Sequence, residues 1–322
     1  MASSPADVLR ALLGGPAGPP IAPIAPVASI AGLRAHASRA PESTIDHAVL
    51  GGLASGSVGW AFACGYEAAL ARLDPAGAHG AVGVDAGALC AMCATEEGGG
   101  HPRAIRTTLA DRGDGTFVLD GRKSWVTLGT DAQVLLVVAS TGTDDRGRNR
   151  LRVVRIPAAR AGVRLEPGGT APFAPEIGHA RAVFEGVRVD PAEVLAGDGY
   201  DAFLKPFRTI EDAHVMAAVL AWGVGVAHVA SWDRAWTEEA LAVLLAWRSL
   251  GEAPPSEPAT HVAVAGALAT TKRLLDAGAW DRTDERTRLG WERDRALLGV
   301  ASTVRAARLE AAWRALTTQE AR

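Results

Sequence analysis

Lysine is nearly missing from this chain: of its 33 basic residues only Lys123, Lys205 and Lys272 are lysines, and the rest are arginines. Acids slightly outnumber bases, giving a net charge of −3 and an isoelectric point near 6.3. No overall basic field is therefore available to coat nucleic acid or an anionic membrane surface. Cysteine is equally scarce. Cys64, Cys90 and Cys93 are too few, and odd in number, for a disulfide framework, and the N-terminus lacks the charged-then-apolar order of a secretory signal. The expected location is the cytoplasm. Long uninterrupted apolar runs are also lacking: the stretches at 215–230 and 240–247 are broken by Gly223, Gly225 and His228 or are too short to span about 30 Å of hydrocarbon.

Several chemical signatures are missing too. No Gly-x-Gly-x-x-Gly opens a helix after a strand and no Gly-x4-Gly-Lys-Ser/Thr occurs, which disfavours dinucleotide-fold and P-loop phosphate cradles. No serine sits in a Gly-x-Ser-x-Gly elbow. The eight histidines form no His-Glu-x-x-His, and Cys90-Ala91-Met92-Cys93 has no second ligand pair nearby in sequence, so no metal site is expected. What is present is ordinary globular material. Hydrophobic residues make up 48% and charged residues 21% of 322 residues, enough to bury a sizeable core in about two domains' worth of chain.

The apolar periodicity changes twice along the chain. Ala6–Leu13 reads as a short helix, and a Pro-rich lead-in follows through Pro16, Pro19, Pro20, Pro23 and Pro26. Thr44–Leu73 reads as one or two helices, with a possible interruption at Gly51-Gly52. After Val84 short runs punctuated by turn residues predict strands at 88–94, 105–110, 116–119, 124–127, 134–139, 151–156 and 182–184, with Asp120-Gly121 as a type I′ hairpin turn. Helical periodicity returns at 203–249, 259–279 and 283–317. The expected fold class is α+β: a helical segment over 1–87, a central antiparallel β-barrel or sandwich over 88–190, and a C-terminal helical bundle over 191–322.

Two segments carry chemistry. In Cys93-Ala94-Thr95-Glu96-Glu97-Gly98-Gly99-Gly100-His101 a strand runs into a hydroxyl, two acids and three glycines. Such a loop lets backbone N–H groups approach an anionic or heteroaromatic ligand without hindrance from a Cβ. In Gly121-Arg122-Lys123-Ser124-Trp125-Val126-Thr127, an aromatic plane and a hydroxyl lie two residues apart, on one face of a strand.

At this separation and in this order, the two segments resemble the middle domain of the acyl-CoA dehydrogenase family. The family pattern is Thr-Glu-x-Gly-x-Gly-Ser, followed by Leu-Asn-Gly-x-Lys-x-Trp-Ile-Thr-Asn-Gly. Here Thr95–His101 and Leu119–Gly129 stand in those places, and Val183–Val189 with Gly197–Tyr200 resembles the family's exit into its helical domain. The resemblance implies an FAD enzyme that removes a proton and a hydride from adjacent carbons of an acyl thioester. It assigns Ala94, Thr95, Gly98, Gly100, His101, Trp125 and Thr127 to cofactor binding: Thr95 and Thr127 match the hydrogen-bonding positions, Trp125 packs against the ring, and His101 replaces the usual serine. It also implies a homodimer or homotetramer, an acyl-CoA or acyl-carrier substrate of fatty acid metabolism, and an electron-transfer flavoprotein as acceptor.

Two departures shape the reading. The N-terminal helical part is short, and the Tyr-Glu-Gly-Thr segment that usually carries the catalytic base is missing from the sequence. In members that keep the base elsewhere it opens the first long helix of the last domain. Aligning backwards from Gly223 puts that position at Val215, and aligning forwards from Gly199 puts it at Ile210. Glu211 shares the helical face of Val215 and is the best substitute base, ahead of Asp212 and His214; the competing reading is a helix-start acid favoured by the helix dipole. Arg248 is the position matching a family arginine that contacts a neighbouring subunit's FAD. A non-catalytic binding homologue and a flavin monooxygenase of the same fold remain as alternatives.

Overall fold

In a computed structural model of the chain, residues 5–14, 25–39, 43–75, 87–169 and 171–319 are described. They form two compact units. The sheet unit comprises Leu73–Ala171 and Ile177–Phe207; the helical unit comprises Met1–Arg72, Pro172–Glu176 and Arg208–Arg322. The Pro-rich lead-in expected between Pro16 and Pro23 lies outside the described residues.

The sheet unit holds β1 (Cys90–Cys93), β2 (Thr108–Asp111), β3 (Phe117–Thr127), β4 (Val134–Thr143), β5 (Asn149–Pro157), β6 (Val163–Pro167) and β7 (His179–Val189). Their order is β1-β4-β2-β3-β7-β6, with β5 also paired to β4. The sheet is mixed, because β1 and β2 run parallel to β4 while the other pairs are antiparallel. β4 is covered on both faces, so its first seven residues are buried without alternation. Leu119, Val126, Leu135, Val137, Ile156 and Phe184 meet in the core beneath it.

The hairpin expected at Asp120-Gly121 is not there. β3 runs unbroken through that pair, and the β2–β3 turn falls at residues 112–116, where Gly113 and Gly115 supply positive φ angles of 77° and 84°. Gly121 (φ 150°) instead marks a register shift between Leu119 and Gly121, and a Cβ there would fall 2.6 Å from the Thr107 Cα. A lone glycine inside a strand pattern thus signals a bulge with a close backbone approach.

The helical unit contains α1 (Pro5–Gly14), α2 (Ile30–Ala37), α3 (Thr44–Leu53), α4 (Val58–Leu73), most of α5 (Lys205–Val229), α6 (Arg234–Glu252), α7 (Pro258–Asp276), α8 (Glu285–Asp294) and α9 (Ser302–Gln319). The helix expected over 203–249 is two helices, split at Ser231, which takes φ 52°, and restarted by Asp233, whose carboxylate accepts from Ala235 N at 3.0 Å. Gly51 and Gly52 do not interrupt α3. A Cβ on Gly52 would lie 2.0 Å from the Ala218 carbonyl oxygen, so this glycine lets α3 touch the α5 backbone. Gly65 does the same for α4, 2.6 Å from the Val215 Cα. Behind α5, Trp222, Trp280 and Trp291 stack in sequence, and Trp232 meets Trp280 edge-on at 4.8 Å.

By length and composition one helical stretch, Gly199–Val229, is apolar enough to cross a membrane, contrary to the sequence reading; its most apolar 18-residue window has mean hydropathy 1.3, and 83% of that window is buried. Its apolarity is what an interior helix packed on all sides requires.

Candidate functional site

In the sheet unit β1 delivers the Gly-rich loop. Ala94 and Thr95 are half-buried, Gly98 and His101 are exposed, and Glu96 turns back on Gly99 through paired backbone hydrogen bonds of 3.2 and 2.8 Å. Gly99 takes φ 94° in that turn, with nothing within 4 Å of where a Cβ would stand. The loop is clamped to β3: Thr95 bridges Trp125 across the backbone, and the Thr95 carbonyl accepts from Ser124 N at 2.9 Å.

Two residues that the sequence pattern contains but gives no role make the clamp. Glu96 accepts from Arg106 N at 2.7 Å, Thr107 N at 3.1 Å and Thr107 Oγ1 at 2.8 Å, and its Oε1 receives Lys123 Nζ at 2.7 Å. Lys123 is 1% exposed and also donates to the Val138 carbonyl at 2.7 Å. Burial alone would raise the Glu96 pKa, but the Lys123 and Thr107 contacts outweigh it and hold the carboxyl below its ordinary value. Burial lowers the Lys123 pKa against the pull of Glu96. Both groups are thus satisfied, which is what a buried ion pair requires.

Trp125 presents an indole that is 37% exposed, unusual for so large an apolar group in a well-packed sheet. Thr127 follows, half-buried and directly opposite His179 on β7. The His179 imidazole lies on Trp125 with centroids 4.2 Å apart. Sequence periodicity starts this strand at Ala182, and so misses both His179 and its register with Thr127. Leu128, next along, is fully buried with φ 58°. The family pattern has asparagine at this position, a residue that tolerates the left-handed region better than leucine. His101 acts locally, because its Nδ1 accepts from Arg103 N at 3.2 Å and caps a short helical turn, Pro102–Ala104.

In the helical unit, Glu211 falls at the end of the second turn of α5, after a wide helical turn over Gly199–Leu204. It is therefore not a helix-start acid. No hydrogen bond or ion pair reaches its carboxylate among the described residues. Burial, then the adjacent Asp212, push its pKa up to about 7, against the opposing pull of Arg208, Arg305 and Arg308. The two competitors are occupied. Asp212 is held by Arg305 at 2.7 Å and by Arg308, both on α9. His214 is fully buried, donates from Nδ1 to Ile210 O at 2.8 Å, and accepts at Nε2 from Thr44 at 2.9 Å; burial lowers its pKa to about 4. Arg248 makes a two-point contact with Asp46, at 2.7 and 2.9 Å.

A cavity of about 510 Å³ opens in the same unit between Leu53, Trp222, Val226, Arg282 and Thr287. Its nearest α5 residue lies eleven positions beyond Glu211, about 17 Å along the helix axis at 1.5 Å per residue. It is a separate feature. Among the described residues no group of three or more His, Cys, Asp or Glu is placed to hold a metal ion. Cys93 is an inert interior thiol, pushed up to about 12 by burial.

A mixed sheet carrying a Gly-rich loop clamped to a Trp-x-Thr strand, in a chain whose other unit is built on long helices, is the fold of the acyl-CoA dehydrogenase-type flavoproteins. Butyryl-CoA dehydrogenase from Megasphaera elsdenii shares it with a TM-score of 0.61 at 15% identity, over 84% of this chain and 81% of that one. Dibenzothiophene monooxygenase (TdsC) from Paenibacillus sp. A11-2, also solved with FMN bound, shares it with a TM-score of 0.60 at 18% identity, over 83% and 81%. Residues 91–187 match the family model "Acyl-CoA dehydrogenase, middle domain". Probable acyl-CoA dehydrogenase YngJ of Bacillus subtilis (strain 168) is 28% identical over 138 residues, 41% of this chain and 35% of that protein. The match thus spans about a third of that relative's length. The likeness to the acyl-CoA dehydrogenase family thus rests on residues 91–187 in sequence and, beyond them, on the fold.

Proposed function

We propose that the chain is an FAD-dependent oxidoreductase acting on the CH–CH group of an acyl thioester carried by CoA or an acyl carrier. The observation that carries this reading is the backbone bridge between Thr95 and Trp125, which brings the Gly-rich loop beside an exposed indole face. The residues present fit a flavin: an open aromatic plane, a hydroxyl at Thr95 and another at Thr127, and a glycine turn free of side chains. A flavin bound there would supply a two-electron acceptor for the hydride.

The remaining work falls to side chains. Trp125 would pack against the ring and Thr95 and Thr127 would hydrogen-bond it, while the Glu96–Lys123 pair keeps the two segments in register. Glu211 is the base for the α-proton. A carboxyl with a pKa near 7 is deprotonated in a useful fraction at neutral pH and basic enough to take a proton, the condition for efficient general-base catalysis. Reducing equivalents would leave to an electron-transfer flavoprotein, and the protein would work as a homodimer or homotetramer.

The absorbance spectrum of purified protein, before and after adding FAD or FMN, tests the first half. A flavin band is expected, and a colourless protein that takes up neither cofactor overturns the reading. The second half rests on anaerobic bleaching of the bound flavin by acyl thioesters: Glu211→Gln should retain flavin and slow bleaching by roughly 10²–10⁴-fold, the usual contribution of a general base. The likeness to dibenzothiophene monooxygenase favours a second reading, a flavin monooxygenase. Oxygen consumption with reduced flavin, unchanged by Glu211→Gln and unaccompanied by thioester bleaching, would select it.

A further inference from the structure

His179 opens β7 directly opposite Thr127, and its ring lies on Trp125 with the two planes 31° apart. Two of the three side chains gathered here, Trp125 and Thr127, belong to the flavin reading already given; the third has no assignment. Its Nδ1 is buried and finds no hydrogen-bond partner. A neutral imidazole has one donor and one acceptor nitrogen. Buried polar atoms of this kind are nearly always paired, so an unpaired one beside an open aromatic face marks a place where something else is expected to bind. Burial keeps the His179 pKa below its ordinary value, so the ring is uncharged at neutral pH.

Other unpartnered buried atoms occur at His36, Arg155, Thr209 and Trp232. Among the described residues, neither His36 nor Trp232 has a ring contact with an exposed aromatic side chain. His36 is stacked on His47 at 3.8 Å and already bonds the His47 carbonyl through Nε2.

We propose that His179 is a third side chain of the flavin site, backing the Trp125 plane and offering Nδ1 as a hydrogen-bonding position to the bound heteroaromatic ring. The inference rests on the flavin reading above and extends it to a residue which that reading does not need. The ring's two contributions, stacking and hydrogen bonding, can be removed separately. His179→Phe keeps an aromatic ring on Trp125 and deletes the nitrogen. His179→Asn deletes the ring and keeps a polar atom close to the Nδ1 position.

The test is a fluorescence titration of apo-protein with FAD and with FMN, together with ¹⁵N NMR of protein labelled at histidine. His179→Phe should weaken flavin binding about tenfold, the effect of losing one hydrogen bond, while melting at the wild-type temperature without flavin. His179→Asn should bind more tightly than His179→Phe. In the wild type, the His179 Nδ1 resonance should shift when flavin is added. Unchanged affinity in His179→Phe, or an Nδ1 resonance indifferent to flavin, overturns the role of His179 and leaves the flavin reading standing. Should His179→Phe fail to fold, the wild-type NMR titration decides alone. A wild-type protein that binds neither flavin overturns both.

Discussion

At the scale of single residues the Glu211 carboxyl makes a claim that can be checked without substrate. Its pKa is about 7 in the folded chain and near the ordinary 4.5 when unfolded, chiefly because burial disfavours its charge. A raised carboxyl pKa means that between these values the folded chain holds a proton that the unfolded chain has released. Stability is therefore full below about pH 4.5 and declines as pH rises through 7. Glutamine carries no charge at any pH. Glu211→Gln should match the wild type in urea unfolding at pH 4 and exceed it by up to about 3 kcal/mol at pH 8.5, at about 1.4 kcal/mol for each tenfold change in proton affinity. An equal difference at both pH values would show that the carboxyl is not desolvated. The choice of Glu211 is legible in the sequence as an acid sharing a helical face with Val215, but its environment is not: Arg305 and Arg308, which hold Asp212 and leave Glu211 unpaired, come from α9 and follow no local spacing rule.

At the scale of elements, glycines sort into those that permit contact and those that only loosen a helix. Gly52 lets α3 touch α5, with 2.0 Å from its virtual Cβ to a backbone oxygen that cannot rotate away. Gly266, within α7, has nothing within 4 Å. Gly52→Ala should therefore destabilise the protein by about 1–3 kcal/mol or more through overpacking, while Gly266→Ala should stabilise it by about 0.4–1 kcal/mol by stiffening the unfolded chain. Thermal melting of both variants checks the pair, and a loss at Gly266 would show a packing constraint there. Glycine is also where element-level reading from sequence goes astray. Asp120-Gly121 has the composition of a turn, and only strand pairing distinguishes a turn from a bulge. Gly51-Gly52 has the composition of a helix break, and only the neighbouring α5 shows why two glycines belong inside a helix. The strands beginning at Val134 and Asn149 are readable, because runs of valine, leucine and isoleucine bounded by turn residues leave little choice. β6 is not: its five residues carry two charges and no buried side chain.

At the scale of the whole molecule, the sequence of helices, strands and helices and the two flavin-type segments are readable because each is local in the chain. What joins them, the β3–β7 register and the Glu96–Lys123 pair, links residues far apart in it. Assembly is the last property at this scale, and the exposed side chains of the helical unit bear on it. α5 is almost wholly interior. α9 is the opposite: among its described side chains only Ala312 is buried, while Val304 is 42% and Trp313 is 49% exposed. Large apolar groups left at that exposure on a regular helix, with Leu289 (49%) on α8 and Leu245 (39%) on α6, are what an interface between copies of the chain would cover. An exposed tryptophan in an interface typically contributes more than its neighbours to association. Light scattering at micromolar concentration should return a dimer or tetramer mass for the wild type. Trp313→Glu should lower that mass toward the monomer while the far-ultraviolet dichroism stays unchanged, because the side chain it replaces is half in water in the isolated chain. A clean monomer for the wild type removes the assembly proposed here, and a Trp313→Glu protein of unaltered mass moves the interface off α9.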